Sequence, residues 1–385
     1  MARQCYTARA SCAPLRVLRP ENPVSFHPSM GTRPKTLEPA CVSLIIPGLV
    51  WPGSGINASL KQLDLPALAS LLGHGATRAL TAQPWSEWLA ARFGAQTLPW
   101  AALRLAGDDL HADIPSHVLC ADPVSLGFTS NALLLRGPHE LSLQADEVSA
   151  LIATLNAEFA DLGHWHAASP ERFYLVAHAP IRARFHPLTE VLGRPVAYFP
   201  PEGEEARRWN QIANEVQICL HNHPISQARS ARGQLAPNAL WFWGQSDAEL
   251  PTLQSPAAHL YSADPLLRGL AHRADSQVIA TPDKLIAGLP GHSWLHDGRL
   301  QDAAHTGDFN AWLGGLQTLE REYLQPLLAA WKLGRIRELV LEAPSDKLML
   351  TARLPRHARW AFWRKPLPSN ALGQLLQAPT ERSAT

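Results

Sequence analysis

The stretch His221-Asn-His-Pro-Ile-Ser-Gln-Ala-Arg-Ser-Ala-Arg-Gly-Gln-Leu-Ala-Pro-Asn-Ala-Leu-Trp-Phe-Trp-Gly244 carries the most structural information in this chain of 385 residues. A helix is predicted to lead into it, because apolar residues recur on one face at helical spacing: Trp209, Ile212, Ala213, Val216 and Cys219 or Leu220. Pro224 should end that helix, since a proline disfavours helical geometry in the residue before it. Ser226 can cap a second helix, and the aromatic run at 239–243 predicts a strand.

Upstream of this stretch, the sequence between residues 117 and 178 has the pattern of an α+β unit. It predicts a hairpin of strands at 117–126 and 131–136, followed by a helix at 148–159 with Ser142 as its N-cap. A third strand is predicted at 172–178. The pair His164 and His166 has no acidic residue or cysteine at ligand spacing nearby, so we expect it in a loop. This succession differs from the sequence on either side of it.

The flanking sequence alternates strands with helices. Before residue 117 it predicts a strand at 43–50 and helices at 65–72 and 85–93. After residue 256 it predicts a helix at 265–271 and a strand at 277–280. A long helix at 308–327 starts near Asp308 and kinks at Pro326, and a final pair of strands is predicted at 338–342 and 348–354. Such alternation is typical of an α/β core with a largely parallel sheet.

The composition predicts a folded cytoplasmic protein of more than one packed unit. A chain of this length exceeds what one hydrophobic core usually serves. The 34 Lys and Arg residues nearly balance 33 Asp and Glu, and the net charge of +1 predicts no bulk attraction to nucleic acid or membranes. The five cysteines are scattered without a CxxC pair, as in reduced cytoplasmic proteins. No apolar run approaches the roughly 20 residues of a membrane helix, so no membrane partner is expected.

Residues 1–40 show no periodic pattern, and several arginines precede the first acidic residue, Glu21. A leader rich in arginine and poor in acids is typical of a transit peptide. The favoured interpretation is a disordered extension, with Met30 as a candidate for the natural start of the chain.

The central stretch contains a candidate anion site. Arg229 and Arg232 are one helical turn apart and can hold a phosphate jointly, close to His223 and, across the turn, to Asn238. The alternatives stay open: His223 shares the buried face of the preceding helix and is typical of a core histidine, and the two arginines can form a solvated basic face. A metal role is the least favoured, because His221 and His223 point apart at a helix end.

Near the carboxyl terminus, Arg356-His-Ala-Arg-Trp-Ala-Phe-Trp-Arg-Lys365 interleaves basic with aromatic residues. Surfaces that bind single-stranded nucleic acid have this composition. Because the chain is neutral overall, packing of these aromatic residues onto the core is the favoured interpretation, and nucleic acid is not the expected partner. The sequence has no GxSxG, GxxxxGK[ST], HExxH or GxGxxG motif, so no motif specifies a nucleotide or another cofactor.

The central stretch resembles the segment that marks cofactor-independent phosphoglycerate mutases of the archaeal type. The family's His-Pro corner, its Pro-Ala step and its strand ending Trp-x-Trp-Gly-Gln resemble His223-Pro-Ile-Ser226, Ala236-Pro-Asn238 and Trp241-Phe-Trp-Gly-Gln245. The likeness covers most of 43–355 and is specific over 117–245. A nearer resemblance is to bacterial RpfE-type regulatory proteins, whose Ile-Pro-Gly-Leu-x-Trp-Pro and Cys-Ala-Asp-Pro motifs are similar to residues 46–52 and 120–123.

The resemblance implies an alkaline-phosphatase-like core, in which two divalent metals such as Mn or Zn activate a nucleophile and stabilise phosphoryl transfer. This chain departs from the family at three ligand positions. Its first strand ends in Pro47-Gly48 instead of Asp-Gly, and the Asp-Glu-Ala-Gly-His segment has only His305-Thr-Gly-Asp308 as a counterpart. The family's last Asp-His strand end corresponds to residues 343–347, which contain no histidine. We therefore expect no metal and no other cofactor.

Together these patterns predict an α/β protein with an alkaline-phosphatase-like core, a central mostly parallel sheet and an inserted α+β domain. The predicted divisions are a disordered extension at 1–40, a discontinuous core at 41–115 and 246–365, an insertion at 116–245, and a disordered tail at 366–385.

Three functional hypotheses follow. The favoured one is a non-catalytic regulatory protein that binds a phosphorylated small molecule or a protein partner in the family's inter-domain cleft. The second is an active metal-dependent phosphoglycerate mutase or phosphomonoesterase whose displaced ligands come from Asp122, His305, Asp308 and Asp346. The third is a regulator that contacts nucleic acid through residues 356–365.

Overall fold

The structure of the chain is a computed structural model that describes residues 39–108, 115–128, 132–246, 251–361 and 363–377. The predicted extension at 1–40, with its alternative start at Met30, lies outside these residues apart from its last two positions. None of the helices in the described ranges is both long enough and apolar enough to cross a membrane.

Strands and helices alternate along most of the described chain. Its strands are β1 (Cys41–Ile45), β2 (Ala76–Leu80), β3 (Val118–Phe128), β4 (Leu133–Arg136), β5 (Gly163–Ser169), β6 (Arg172–Ala177), β7 (Ala239–Ser246), β8 (His259–Tyr261), β9 (Gln277–Val278), β10 (His292–His296), β11 (Glu338–Ala343) and β12 (Met349–Pro355). Its helices are α1 (Asn57–Leu60), α2 (Pro66–His74), α3 (Trp85–Arg92), α4 (Trp100–Gly107), α5 (Pro138–Leu141), α6 (Ala145–Glu158), α7 (Leu188–Val191), α8 (Ala206–Asn222), α9 (Pro224–Ala231), α10 (Pro265–Arg273), α11 (Asp283–Ile286), α12 (Gln301–Thr306), α13 (Phe309–Leu319), α14 (Gln325–Lys332) and α15 (Ser369–Leu376).

The first sheet has seven strands in the order β2-β12-β11-β1-β10-β8-β9. Five of them, from β11 to β9, are parallel, whereas β12 pairs antiparallel with both β11 and the edge strand β2. Helices cover both faces, because successive residues of β1 enter different cores: Leu44 packs with α2, α13 and α14, and Ile45 packs with α3 and α10. A strand buried on both faces reads as a continuous apolar run, which is why 43–46 is recognisable in the sequence.

The second sheet is antiparallel and is built around the long strand β3, which pairs with β4, β6 and β7, while β5 pairs with β6. Helices α6 and α8 bury their apolar stripes against one face, where Leu155, Val216 and Phe242 meet. The other face packs against α4, through Cys120, Tyr174 and small residues of the helix.

Helix α4 joins the two sheets, because it also packs against α10 beneath the first sheet. Two glycines allow this contact: a Cβ on Gly107 would lie 1.7 Å from the Pro265 carbonyl oxygen, and one on Gly269 would lie 1.8 Å from the Leu103 carbonyl oxygen. Any larger side chain at either position would force the helices apart.

The predicted α/β class, with a mostly parallel central sheet and a second sheet, is confirmed. Helix α8 ends at Asn222, with the extended residue His223 between it and the predicted breaker Pro224, and its face buries Trp209, Ile212, Val216 and Leu220. Helix α13 starts next to Asp308 as predicted, and Asp308 is its N-cap, accepting a bond from the Ala311 amide at 3.0 Å. The predicted kink near Pro326 is a π-helical turn at Glu320–Leu324 between α13 and α14.

Several local predictions are wrong. Strand β1 ends at Ile45, because Gly48 takes a positive φ of 78° and turns the chain. Ser142 adopts a left-handed conformation after α5, and α6 is capped at Gln144 instead. The N-cap of α9 is His223, whose Nδ1 accepts a bond from the Ile225 amide, rather than Ser226.

Two longer segments also differ from expectation. The expected loop at His164 and His166 is strand β5, with Trp165 buried between them. The expected disordered tail is wrong over the residues of α15, where Leu376 is buried and its carbonyl oxygen accepts a bond from the Trp51 amide at 2.7 Å. Residues 378–385 of that tail lie outside the described residues.

Candidate functional site

A cavity of about 650 Å³ opens at the carboxyl ends of β8 and β10, where the first sheet faces the second. The residues that follow these strands line one side of it, and α4 with the second sheet lines the other: Asp264, His296 and Asp297, then Arg104, Asp122 and Trp243. Ligands of open α/β sheets bind at this edge. The cavity is therefore the candidate functional site, and Asp122 is the one residue in its lining that the sequence reading had selected.

The side of the cavity formed by α4 and the second sheet contains a buried ion pair. Arg104 donates from Nη1 and Nη2 to the two carboxylate oxygens of Asp122, both at 2.7 Å, and Trp243 Nε1 donates to Asp122 at 2.8 Å. The Arg104 guanidinium lies between the rings of Tyr174 and Trp243, at 4.6 and 4.9 Å from their centroids. Burial lowers the pKa of Arg104, but the Asp122 carboxylate more than offsets this, so the guanidinium stays charged.

The two other arginines in the lining are also paired with carboxylates. Arg172 Nη2 lies 2.9 Å from Asp108 Oδ1, and Tyr174 donates its hydroxyl to the same carboxylate at 2.6 Å. Arg299 donates from Nε and Nη2 to Asp297, at 2.8 and 2.6 Å, and its Nη1 lies 2.9 Å from Glu322 Oε2. The charge of every arginine in the lining is thus already neutralised within the protein.

His296 closes the bottom of the cavity. It is 5% exposed, its Nδ1 lies 2.9 Å from Ser262 Oγ, and its Nε2 has no partner among the described residues. The imidazole stacks on Trp85, which continues onto Trp88 and Trp294 as a column of four rings with centroids 5.3 to 5.5 Å apart. Burial lowers the pKa of His296, so the ring is neutral near pH 7.

Aromatic rings and three carboxylates complete the lining. The five aromatic side chains are Trp85, Trp100, Trp243, Tyr261 and Tyr323, the last carried by the π-helical turn. Glu171, Asp264 and Asp302 also line the cavity, and none of them forms a salt bridge within the part of the chain that the structure describes. Although the Asp302 side chain reaches solvent, desolvation by the surrounding protein raises its pKa. The nearby His139 and His305 partly offset this effect.

A dinuclear metal centre of the kind that the resemblance implies does not fit these residues. After β1, Gly48 packs against the next loop so closely that a Cβ would lie 2.6 Å from the Leu300 carbonyl oxygen. The Gly48 carbonyl oxygen accepts a bond from Trp312 Nε1 at 2.8 Å, and Pro47 offers no ligand atom. Within the described ranges, no group of three or more His, Cys, Asp or Glu side chains is placed to hold a metal ion.

The proposed pool of displaced ligands is not brought together. Asp122 is held by Arg104 and Trp243, and Asp308 caps α13. His305 lies near Asp346, whose charge acts against the lowering of the His305 pKa by burial, and its Nδ1 has no partner among the described residues. Two of the four residues are therefore committed to other contacts.

The four residues of the predicted anion site hold protein groups. His223 Nε2 lies 3.1 Å from Thr154 Oγ1, and burial lowers its pKa. Arg229 is 5% exposed and donates to the Leu235 and Leu141 carbonyl oxygens and to Glu147. Arg232 is exposed, and its Nε donates to the Ala228 carbonyl oxygen at 3.1 Å. Asn238 bonds the backbone of Leu126 at 2.8 and 2.9 Å. The anion site stays a prediction, and these contacts weigh against it.

The sequence reading missed most of the cavity because it missed α4, β8 and β10. One signal was available: residues 293–296 form a short buried run that ends in His296-Asp297, and polar residues directly after a buried strand mark the binding edge of a parallel sheet. Arg104 gave no such signal, because a lone arginine in an alanine-rich helix is ordinary.

No model of a known protein family matches the chain. Over 166 residues it is 25% identical to a 2,3-bisphosphoglycerate-independent phosphoglycerate mutase of Methanothrix thermoacetophila, a match that covers 37% of this chain and 41% of that protein. The chain thus spans about two fifths of the length of that relative. The weak homology confirms the likeness to archaeal phosphoglycerate mutases, and does not extend to the RpfE-type group.

Two solved structures are similar to this one. The PH0037 protein from Pyrococcus horikoshii has a TM-score of 0.51 at 14% identity, over 83% of this chain and 88% of that chain. A cofactor-independent phosphoglycerate mutase from Thermoplasma acidophilum has a TM-score of 0.39 at 15% identity, over 88% and 98%. At such identities a structural likeness shows the fold alone. Of the two structures, the PH0037 protein supports the fold, because its TM-score exceeds 0.5.

Proposed function

We propose that this protein is a phosphoglycerate-mutase-like chain that performs no metal-dependent phosphoryl transfer and instead binds a small ligand in the cavity. The observation that carries the proposal is the pairing of Arg104, Arg172 and Arg299 with carboxylates in a cavity whose described residues provide no metal cluster. Phosphoryl transfer needs metal ions or free cations to neutralise the developing charge. In this lining, carboxylates of the protein already neutralise the three arginines.

The lining favours a ring-bearing ligand that is neutral or cationic. Five aromatic side chains provide flat faces for a ring, and such rings also attract organic cations. Glu171, Asp264 and Asp302 add acceptors that lack a salt bridge in the described structure. His296 Nε2 would give or accept one further hydrogen bond if Trp85 shifted.

A phosphorylated ligand is the second candidate, and the weak homology to a phosphoglycerate mutase favours it. To bind one, Arg172 or Arg299 would have to release its carboxylate or share its remaining N–H groups with the phosphate. A regulatory role of the RpfE type, a protein partner and a cytoplasmic location belong to the same proposal.

The test is calorimetric titration of the full-length chain with nucleosides, aromatic amines and free sugars, in parallel with phosphoglycerate and inorganic phosphate. We expect binding from the neutral or cationic group. Tyr261→Ala should weaken that binding at least tenfold, a loss of about 1.4 kcal/mol. Tyr198→Ala, an exposed tyrosine outside the cavity, is the matched control and should leave binding unchanged.

Two outcomes would overturn the proposal. Binding of phosphoglycerate with no response to any neutral or cationic ring compound would favour the second candidate. Mutase or phosphomonoesterase turnover in the presence of Mg²⁺, Mn²⁺ or Zn²⁺ would restore the enzyme hypothesis, with Asp302 and His305 as the first residues to replace.

A further inference from the structure

A second surface lies away from the cavity, where α14 and the following turn meet the segment after β12. We define the basic–aromatic surface as residues 332–337, 356–361 and 363–365. Arg359 joins its two parts, since its Nη2 donates to the Ile336 carbonyl oxygen at 2.7 Å and its guanidinium lies 5.4 Å from the Trp331 ring centroid. Arg364 extends the surface to α2, because its Nη1 donates to the His74 carbonyl oxygen at 2.7 Å.

The surface concentrates positive charge in a chain that is otherwise balanced. It contains seven Lys and Arg residues and no Asp or Glu, in a protein whose net charge is +1. The seven are Lys332, Arg335, Arg337, Arg356, Arg359, Arg364 and Lys365, and none forms a salt bridge with another described residue. All but Arg359 are exposed.

The same surface exposes large apolar side chains. Trp360 is 78% exposed, Trp363 is 68% exposed and Leu333 is 70% exposed. The chain has thirteen tryptophans, and the other eleven are buried or half-buried. The expectation that the aromatic residues of 356–365 pack onto the core is therefore wrong for both tryptophans. Phe362 lies outside the described residues.

A pocket of about 310 Å³ opens between the two parts of the surface. Its walls include His74, Trp331, Lys332 and Arg359. Arg359 over the Trp331 ring forms a planar, positively charged wall, on which a flat ring can stack while a neighbouring anion meets the guanidinium.

We propose that the basic–aromatic surface binds single-stranded nucleic acid, an activity separate from the ligand proposed for the cavity. Single strands present phosphates at regular intervals, with flat bases between them, and proteins bind them through basic grooves with exposed aromatic platforms. Seven cations without a salt bridge, two exposed indoles and an aromatic pocket match both features. A flat membrane surface would use the cations and the indoles but not the pocket.

The experiment measures anisotropy of a labelled oligothymidylate of about 12 nucleotides, a length within the usual single-strand site sizes. The full-length chain is titrated at a salt concentration of about 50 mM and then at increasing salt. We expect binding that weakens with salt. Trp360→Ala combined with Trp363→Ala should weaken it at least tenfold, since each stacked base contributes about 1–3 kcal/mol.

A charge variant gives an independent readout. Arg356→Gln with Lys365→Gln removes two phosphate contacts and should flatten the slope of log affinity against log salt by about 1.4, because each contact on a single strand contributes about 0.7. Arg207→Gln with Arg273→Gln, two exposed cations elsewhere, is the matched control and should keep the wild-type slope. If the tryptophan variant fails to fold, the charge variant carries the test.

Three results would overturn the proposal. They are no binding of the oligonucleotide at low salt, equal binding by all the variants, and binding to vesicles that contain phosphatidylserine without binding to the oligonucleotide. The last result would assign the surface to a membrane instead. None of them bears on the cavity, because the two surfaces share no lining residue.

Discussion

The cavity and the basic–aromatic surface both contain arginines beside tryptophans, but they differ in what neutralises the charge. In the cavity, Arg104 is 6% exposed and its charge is matched by Asp122. On the surface, Arg356 and Arg364 are exposed and form no salt bridge with a described residue. A buried, paired guanidinium fixes the shape of a wall, whereas an exposed guanidinium without an acidic partner is available to an external anion.

The largest test of this contrast removes one partner of the buried pair. Asp122→Ala leaves Arg104 charged in a buried site and should lower the free energy of unfolding by about 3–5 kcal/mol, measured by urea denaturation. The double variant with Arg104→Met should recover much of that loss, because no charge is left without a partner. A loss of less than about 1 kcal/mol in the single variant would mean that the pair contributes no more than a solvent-exposed salt bridge, which would contradict the contrast.

A second test removes a carboxylate partner from a cavity arginine, so that this arginine resembles the arginines of the basic–aromatic surface. Asp297→Asn removes the main partner of Arg299 at constant volume, leaving Glu322 as its remaining one. Affinity for inorganic phosphate in calorimetric titration should rise at least tenfold, since a hydrogen bond to a charged group contributes about 1.5–3 kcal/mol. Asp283→Asn, the same change at an exposed site, should have no effect. Wild-type affinity in the Asp297 variant would mean that the pairing does not exclude anions.

A third test uses pH, because burial lowers the pKa of His296 below its unfolded value. As the pH falls below about 6.5 the unfolded state takes up the proton first, so the folded state loses stability by up to about 1.4 kcal/mol per pH unit until the folded pKa is reached. Above about pH 7 the group contributes no slope. The difference in unfolding free energy between the wild type and His296→Gln should show this profile.

The smallest expected effect concerns the predicted anion site. Arg232→Gln should change the free energy of unfolding by less than about 0.5 kcal/mol, as exposed substitutions usually do. Arg229→Gln should cost more, because its buried guanidinium holds Glu147 and two carbonyl oxygens. If the two residues act as an anion clamp, each change should also weaken phosphate binding by a similar factor, and this is the outcome that the contacts of Arg229 argue against.

The sequence predicted elements whose apolar spacing is undisturbed. Helix α8 has a continuous apolar stripe, and Pro224 stands two residues after its last residue, so its face and its end were predictable. Residues 43–46 were predictable because parallel strands buried on both faces read as apolar runs. Helix α15 was missed, since Leu372 and Leu376 indicate a helix only once their partners near Trp51 and Asn57 are known.

The cavity was harder to predict, because its residues come from strands of both sheets and from six helices that are distant in the sequence. Asp122 was selected as a free ligand, and the contact that removes it from that role comes from Arg104 on an unpredicted helix. The exposure of Trp360 was mispredicted because aromatic residues usually pack inward, and the sequence pattern alone does not show that this one is left outside the core.

Calorimetric titration of the purified full-length chain with Mn²⁺ tests the central claim most directly. That claim is that the arginines of the cavity are neutralised by carboxylates of the protein and that the described residues provide no dinuclear metal centre. We expect no saturable binding at a ratio near two ions per chain, in the presence or absence of phosphoglycerate. Two tightly held ions per chain, lost on replacing Asp302 or His305, would contradict it.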